Sequence, residues 1–347
     1  INGAAWQEII EGCTDSYAVN YDENATSDDG SCTYPDNGDY SLSFDDGDFV
    51  KVESITNGLV GTTDFTFSSW IRLSRTDVNS AMVILCSSEL DQFQFAINTG
   101  GGNGGFFDAY IGGSGVSTPS LQWGANIWYH ISVVRQSGVI RFYRDGVFIN
   151  EANNNNYINN PSSYDIGYRT SNSAHPFYGN IDNIVVWNRS LSENEIQNYI
   201  SENMDGYEEG LVAYWSFNSG DGDILYDHSG NGNHGMISGT VWSDQIPYQG
   251  PWYVSTQGSD DNEGSQSAPF RTIQKAINKA GDGNAIIVEP GVYAERLTAN
   301  NKSFFLVSSS SNQDNYDEIG HVSSDVIIQG NYDGSVFSLS DGTYHLE

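Results

Sequence analysis

A chain of 347 residues with 45 Asp and Glu against 13 Lys and Arg carries a formal charge of −32. It repels nucleic acid phosphates and anionic membranes, which excludes both as direct partners, whereas hard cations with oxygen ligands suit it. With 38 Gly, 13% aromatics and no apolar run near the ~18 residues that span a bilayer, the composition predicts short strands and tight turns, with no membrane insertion.

Residues 1–36 read as a first module. Ile1 is neither an initiator Met nor the start of a signal peptide, so the chain is expected to be a piece of a larger multi-domain protein. Cys13 and Cys32 bracket GCTDSYAVNYDENATSDDGSC, a polar stretch with no apolar face. Such a stretch cannot build a core, so a disulfide is its expected staple, worth roughly 3 kcal/mol, and implies a secreted or cell-surface setting. Asp15, Asp22, Asn24 and Asp28 recur at short intervals and are candidate calcium ligands. The Gly and terminal Glu of an EF-hand are missing, which leaves a disulfide-pinned turn with solvated carboxylates as the alternative. The segment resembles a short Cys-bracketed repeat of Bacteroidetes-type surface proteins, which implies a spacer role.

Residues 37–248 show the clearest periodicity. Apolar and polar residues alternate in YSLSF, FTFSSWI, WYHISVV and IRFYR, and Asp145-Gly146 between two such runs signals a hairpin. Cys86 sits in the apolar run AMVILC and reads as a buried thiol. Ser192 and Glu195 form a capping box opening a short helix, with Leu191 placed to staple onto Ile196. Many short strands needing cover on both faces predict an antiparallel sandwich. The runs YSLSFDDGDFVKV, WYHISVVRQSGVIRFYRDGVFI, YGNIDNIVVWNRSLSENEIQNYI and GLVAYWSFNSGDGDILYDHSGNGNHG resemble the laminin-G-like, concanavalin A-like jelly-roll family. That resemblance implies a two-sheet fold used for glycan binding, adhesion or spacing, often with bound calcium.

Residues 252–347 begin with a short amphipathic helix at Thr272–Ala280, followed by the apolar strands 285–288, 304–307 and 326–330 separated by turns. Strand spacing of about twenty residues suggests solenoid coils. The segment resembles the opening of a right-handed parallel β-helix of the pectin-lyase-like superfamily. The expected fold class is therefore all-β: an antiparallel jelly-roll β-sandwich, concanavalin A-like, followed by the N-terminal cap and first coils of a parallel β-helix. Gln245 to Gly250 is the expected linker.

Two kinds of site are expected in the sandwich. Calcium takes six to eight oxygens from turns, and Asp45, Asp46 and Asp48, then Asp182, then Asp227 with Asn231 and Asn233 are candidate donors. Glycans stack on loop aromatics, for which Tyr110, Trp123, Trp128, Tyr157, Tyr168, His175, Phe177 and Tyr178 are candidates, while Trp70, Phe142, Trp187 and Trp215 are expected in the core. For catalysis there is no E-x-D-x-E strand, with Glu53, Glu89 and Asp91 isolated, and no nucleophile elbow or zinc motif. The expected function is an extracellular, lectin-like carbohydrate-binding or adhesion module with structural calcium, whose partner is a cell-surface or algal polysaccharide. The alternatives are the non-catalytic targeting part of a polysaccharide lyase or hydrolase whose active site lies beyond this chain, and a spacer in an adhesin or filament.

Overall fold

The computed structural model describes residues 9–347 except 54, 56–57, 89–91, 101–103, 160, 173, 202–203, 205, 248–250, 261, 263, 265, 267, 281–283, 301–303, 310–325, 329–336, 341–344 and 347. Glu89, Asp91 and residues 248–250 of the expected linker thus lie outside the described residues. The chain divides into two compact units, Ile1–Ile246 and Pro247–Glu347.

In the first unit, β1 (Glu11–Gly12) and β2 (Ser27–Asp28) form a short parallel ladder beside the Cys13–Cys32 disulfide. The carboxylates of Asp15, Asp22, Asp28 and Asp29 each accept the N–H two residues on. Aspartate organises polar loops in this way where no core is available.

The sandwich follows. Its strands are β3 (Ser41–Phe44), β4 (Phe49–Val52), β5 (Phe65–Leu73), β6 (Ala81–Ser87), β7 (Phe93–Asn98), β8 (Gly104–Ile111), β9 (Ser114–Ser117), β10 (Leu121–Gln122), β11 (Trp128–Gln136), β12 (Val139–Arg144) and β13 (Val147–Asn153). They continue with β14 (Tyr164–Ile166), β15 (Gly179–Trp187), β16 (Leu211–Trp215), β17 (Ile224–Leu225), β18 (Gly235–Ser238) and β19 (Val241–Ser243). One sheet has nine strands in the order β10-β8-β7-β6-β14-β4-β18-β17, with β9 also on β8. The other has eight in the order β13-β12-β11-β5-β15-β3-β19, with β16 on β15. Alternation explains the layering: Phe65, Phe67, Ile71 and Leu73 of β5 and Phe93, Phe95 and Ile97 of β7 meet in one core, and the residues between them face outward. Asp145 and Gly146 both have positive φ (54° and 75°), the backbone that a two-residue hairpin turn requires.

Helix α1 (Glu193–Ser201) starts as expected, with Ser192 N–H donating to Glu195 and Glu195 N–H donating back to the Ser192 hydroxyl. Leu191 and Ile196 pack on Val134, Tyr143, Val185 and Trp187, covering one end of the eight-stranded sheet's outer face.

In the second unit every described strand pairing is parallel. β20 (Trp252–Val254), β21 (Asn284–Val288), β24 (Phe304–Ser308) and β27 (His345–Leu346) form one ladder. A second joins β22 (Gly291–Tyr293) to β25 (Val326–Ile328), and a third joins β23 (Leu297–Asn300) to β26 (Phe337–Ser340). Helix α2 (Ile273–Lys279) begins at the expected place, with Thr272 as its N-cap. Asp260 accepts from Arg271 N–H and Thr272 N–H, and Glu295 accepts from Ile273 N–H and Gln274 N–H. These carboxylates satisfy donors that a helix start leaves open.

Candidate functional site

The outer face of the nine-stranded sheet gathers polar groups around a small apolar floor. Register puts Lys51 of β4, Asp165 of β14, Cys86 of β6, Gln94 of β7 and Tyr110 of β8 in one cross-strand row. The adjacent row holds Val83, Ala96, Asp108 and Ser117. Val83, Cys86 and Ala96 are buried in a cluster separate from the main core. Tyr164 and Ile166, flanking Asp165, point into that core, so the Asp165 side chain points out of it.

A hairpin over residues 167–177 folds beside this floor. Gly167 N–H donates to Ile84 O, Val83 N–H donates to His175 O, and Arg169 and Ala174 exchange backbone bonds. Gly167 is required at its root: φ is +83°, and a Cβ there would lie 2.2 Å from the Phe44 ring. The hairpin returns to the sheet through Thr170, whose N–H and hydroxyl both donate to Asp165 Oδ2. Among the described residues, Asp165 Oδ1, Gln94 Oε1 and Arg169 Nε are buried without a hydrogen-bond partner. Two acceptors and one donor are thus left unmet beneath this face, each with almost no accessible surface. Burial raises the Asp108 carboxyl and the Cys86 thiol above their ordinary values, so Cys86 is an inert floor residue and not a nucleophile. Burial, then the Arg169 charge, lowers His175, against a bond to the Ala81 backbone that raises it.

The structure sorts the expected aromatic candidates. Tyr110, Tyr168 and His175 are half-buried, with Tyr110 on this face and the other two in the hairpin. Tyr178 lies beneath the Arg75 guanidinium, 5.3 Å from its ring centre. Trp123 and Phe177, expected on binding loops, are on connecting segments but belong to the core at 1% and 0% exposure, Trp123 edge-on to Tyr129 and Phe177 edge-on to Phe44. Trp128 is half-buried and Tyr157 is exposed. Trp70, expected in the core, stands half-buried on the outer face of the eight-stranded sheet, edge-on to His130 at 5.3 Å. Burial brings His130 down to about 3, which keeps it neutral. Phe142, Trp187 and Trp215 are buried as expected.

The candidate calcium donors take part in hydrogen bonds of their own. Both Asp227 oxygens are occupied: Oδ1 accepts from Tyr214 and Ser229 N–H, and Oδ2 from Asn233 N–H and the Ser229 hydroxyl. Asn231 and Asn233 turn their amide nitrogens to Val212 O. Asp45 caps its own turn by accepting Asp46 N–H, and Asp48 accepts Asp45 N–H. Asp182 is buried at 2% exposure; burial, and then the charge of Asp39, push its carboxyl well above the usual range. In the first module Asp22, Asn24 and Asp28 are engaged in their own turns. Among the described residues no three His, Cys, Asp or Glu side chains come together to hold a metal ion.

Asp15 has a different role. Its Oδ1 accepts Tyr17 N–H, while Oδ2 accepts the Tyr34 hydroxyl at 2.7 Å and meets His234 Nε2 at 2.6 Å. His234 Nδ1 in turn accepts Asp227 N–H. Tyr34 stacks on Tyr226 and meets His228 and His234 edge-on. The module bracketed by Cys13 and Cys32 is therefore docked on the sandwich through one aromatic and hydrogen-bonded joint. Burial alone would raise Asp15, but bonds from Tyr34, Tyr17 and His234 outweigh it and hold the carboxyl below the usual range.

Residues 44–197, most of the sandwich, match the concanavalin A-like lectin/glucanases superfamily. The sandwich is a concanavalin A-like jelly roll. Residues 256–309 match a family of proteins of unknown function, DUF1565. Over 45 residues the chain is 47% identical to the uncharacterized protein YwoF of Bacillus subtilis (strain 168), a match covering 13% of this chain and a tenth of that protein's length. Among solved structures, a Bacteroides ovatus ATCC 8483 protein provisionally described as carbohydrate binding superposes with a TM-score of 0.49 at 16% identity, over 63% of this chain and 66% of that one. A heptameric SAP-like pentraxin from Limulus polyphemus gives 0.44 at 13% identity, over 59% and 94%. Domain 4 of AbnA, a GH43 extracellular arabinanase from Geobacillus stearothermophilus, gives 0.35 at 13% identity, over 45% and 80%. All three TM-scores lie below 0.5, so function has to come from this chain's own side chains.

Proposed function

We propose that the jelly roll is a non-catalytic carbohydrate-binding module of a larger extracellular protein, with its site on the outer face of the nine-stranded sheet. The observation that carries this reading is the outward-facing group Phe106, Asp108 and Tyr110 on β8, with Phe106 41% exposed, in register with the polar row of Gln94 and Asp165. Sugars offer hydroxyls that donate and accept at once, together with an apolar ring face for an aromatic side chain. Catalysis is disfavoured by spacing. Asp108 and Asp165 lie three strands apart, about 14 Å at ~4.8 Å per strand. A glycosidase pair is held about 5–9.5 Å apart. The Cys13–Cys32 disulfide supports the extracellular setting. Among the described residues no helix is long and apolar enough to cross a membrane. We read the second unit, with its three parallel ladders, as the opening coils of a parallel β-helix.

Affinity electrophoresis through gels containing arabinan, xylan, β-mannan, cellulose derivatives, alginate or polygalacturonate tests the reading. At least one polysaccharide should retard the protein, and Gln94→Ala and Arg169→Ala should each lose most of that retardation without a fall in melting temperature. Free migration through all six would overturn the binding role and leave a spacer.

A further inference from the structure

The outer face extends beyond the cluster around Gln94. On β8, Phe107, Ala109 and Ile111 are core residues, so Phe106, Asp108 and Tyr110 stand together on the outside. Phe106 is 41% exposed, large for an aromatic side chain in the interior of a strand. Tyr110 faces Gly115 across the β8–β9 ladder. The nearest atom of its ring lies 3.5 Å from where a Cβ would be, so position 115 places no side chain against the ring. Asp108, between the two rings, is held by the Ser117 side chain.

Four residues along a strand separate Phe106 from Tyr110 by about 14 Å. Stacked rings sit about 4.5–7 Å apart, so one sugar ring cannot lie on both. A chain of sugars running along β8 can stack on Phe106 at one end and on Tyr110 at the other, with hydroxyls passing Asp108. Charge selects the kind of chain. The face sets Asp108 and Asp165 against Lys51 and Arg169, giving no net positive field, and the chain as a whole carries −32. An anionic polysaccharide finds no attraction there.

We propose that this face binds a neutral oligosaccharide chain extended along β8, with Phe106 and Tyr110 as separate stacking platforms; the proposal rests on the carbohydrate-binding reading above. It predicts dependence on chain length. In titration calorimetry with oligosaccharides of one to six sugars cut from arabinan, xylan, β-mannan and cellulose, one series should tighten with length and then level off once both rings are covered. The second platform should add about threefold to tenfold in affinity. Phe106→Ala, on an exposed ring whose removal disturbs no core contact, should remove that gain and bring the longest oligosaccharide back to the affinity of the shortest. Binding that does not depend on length, or a gain that survives Phe106→Ala, overturns the extended chain and leaves the carbohydrate reading standing. Retention by alginate or polygalacturonate alone overturns the neutral chain only. Failure of every oligosaccharide together with every polysaccharide gel overturns both.

Discussion

Replacing Asp227 with Asn keeps the side chain's shape and exchanges one carboxylate oxygen for an NH2 group. In the native turn each oxygen accepts two hydrogen bonds at 2.9–3.0 Å, from Tyr214 and Ser229 N–H on one side and from Asn233 N–H and the Ser229 hydroxyl on the other. Whichever way the amide turns, two of these donors face a group that can accept nothing from them. Bonds to a charged acceptor contribute about 1.5–3 kcal/mol each, so the loss of two is about 3–6 kcal/mol. That is a large share of a typical total stability of about 5–15 kcal/mol. In a unit of this size each kcal/mol is worth about 2–4 °C, so the melting temperature should fall by about 6–24 °C. Scanning calorimetry with calcium and with excess EDTA is the assay. The drop should be the same in both, because the turn is closed by N–H groups and not by an ion. A native protein that loses stability on chelation, together with an Asn variant that no longer responds, would make Asp227 a calcium ligand and refute the hydrogen-bond account.

Asp182 should make stability fall with rising pH. Its carboxyl is raised by burial, so the folded chain keeps a proton that the unfolded chain gives up. The stabilisation is complete below the unfolded value near 4 and is lost as pH rises through the folded one, at up to about 1.4 kcal/mol per pH unit. Asp182→Asn should flatten this slope in urea melts between pH 4 and 8; an unchanged slope would show that Asp182 does not hold the proton. Asp15 has the opposite sign: its lowered carboxyl contributes above the unfolded value and loses that contribution as pH falls through the folded one. Asp15→Asn should speed amide exchange across residues 13–34 while β5 and β15 stay protected, and equal exchange would move the joint's strength to the aromatic contacts.

The layers, the α1 capping box, the Asp145-Gly146 turn and the Cys13–Cys32 pair were legible because each depends on residues close in sequence or on a simple alternation. Trp123 and Phe177 were misread for a related reason: both sit on connecting segments without clear alternation, and tertiary packing against Tyr129 and Phe44 buries them. The Asp165–Cys86–Gln94–Tyr110 row was illegible as a set, since three separate strand pairings bring it together. Half of its signal was present all the same. The run FFDAYI alternates cleanly, which is enough to put Phe106, Asp108 and Tyr110 on one side, but not to say that the side is solvent-facing.

The acidic turns and the polar sheet face differ in hydrogen-bond satisfaction. Asp227, Asp22 and Asp28 sit in turns that their own carboxylates close, so their chemistry is spent on holding the backbone. Asp165 uses one oxygen in that way, on Thr170, and keeps the other buried beside Gln94 Oε1 and Arg169 Nε. Each such unmet group costs about 1–3 kcal/mol, and three of them cost an appreciable part of a domain's stability. Apolar residues at those positions would give a more stable sandwich. A sheet face that keeps two acceptors and a donor unmet differs in this from the acidic turns around it, whose carboxylates are spent on the backbone.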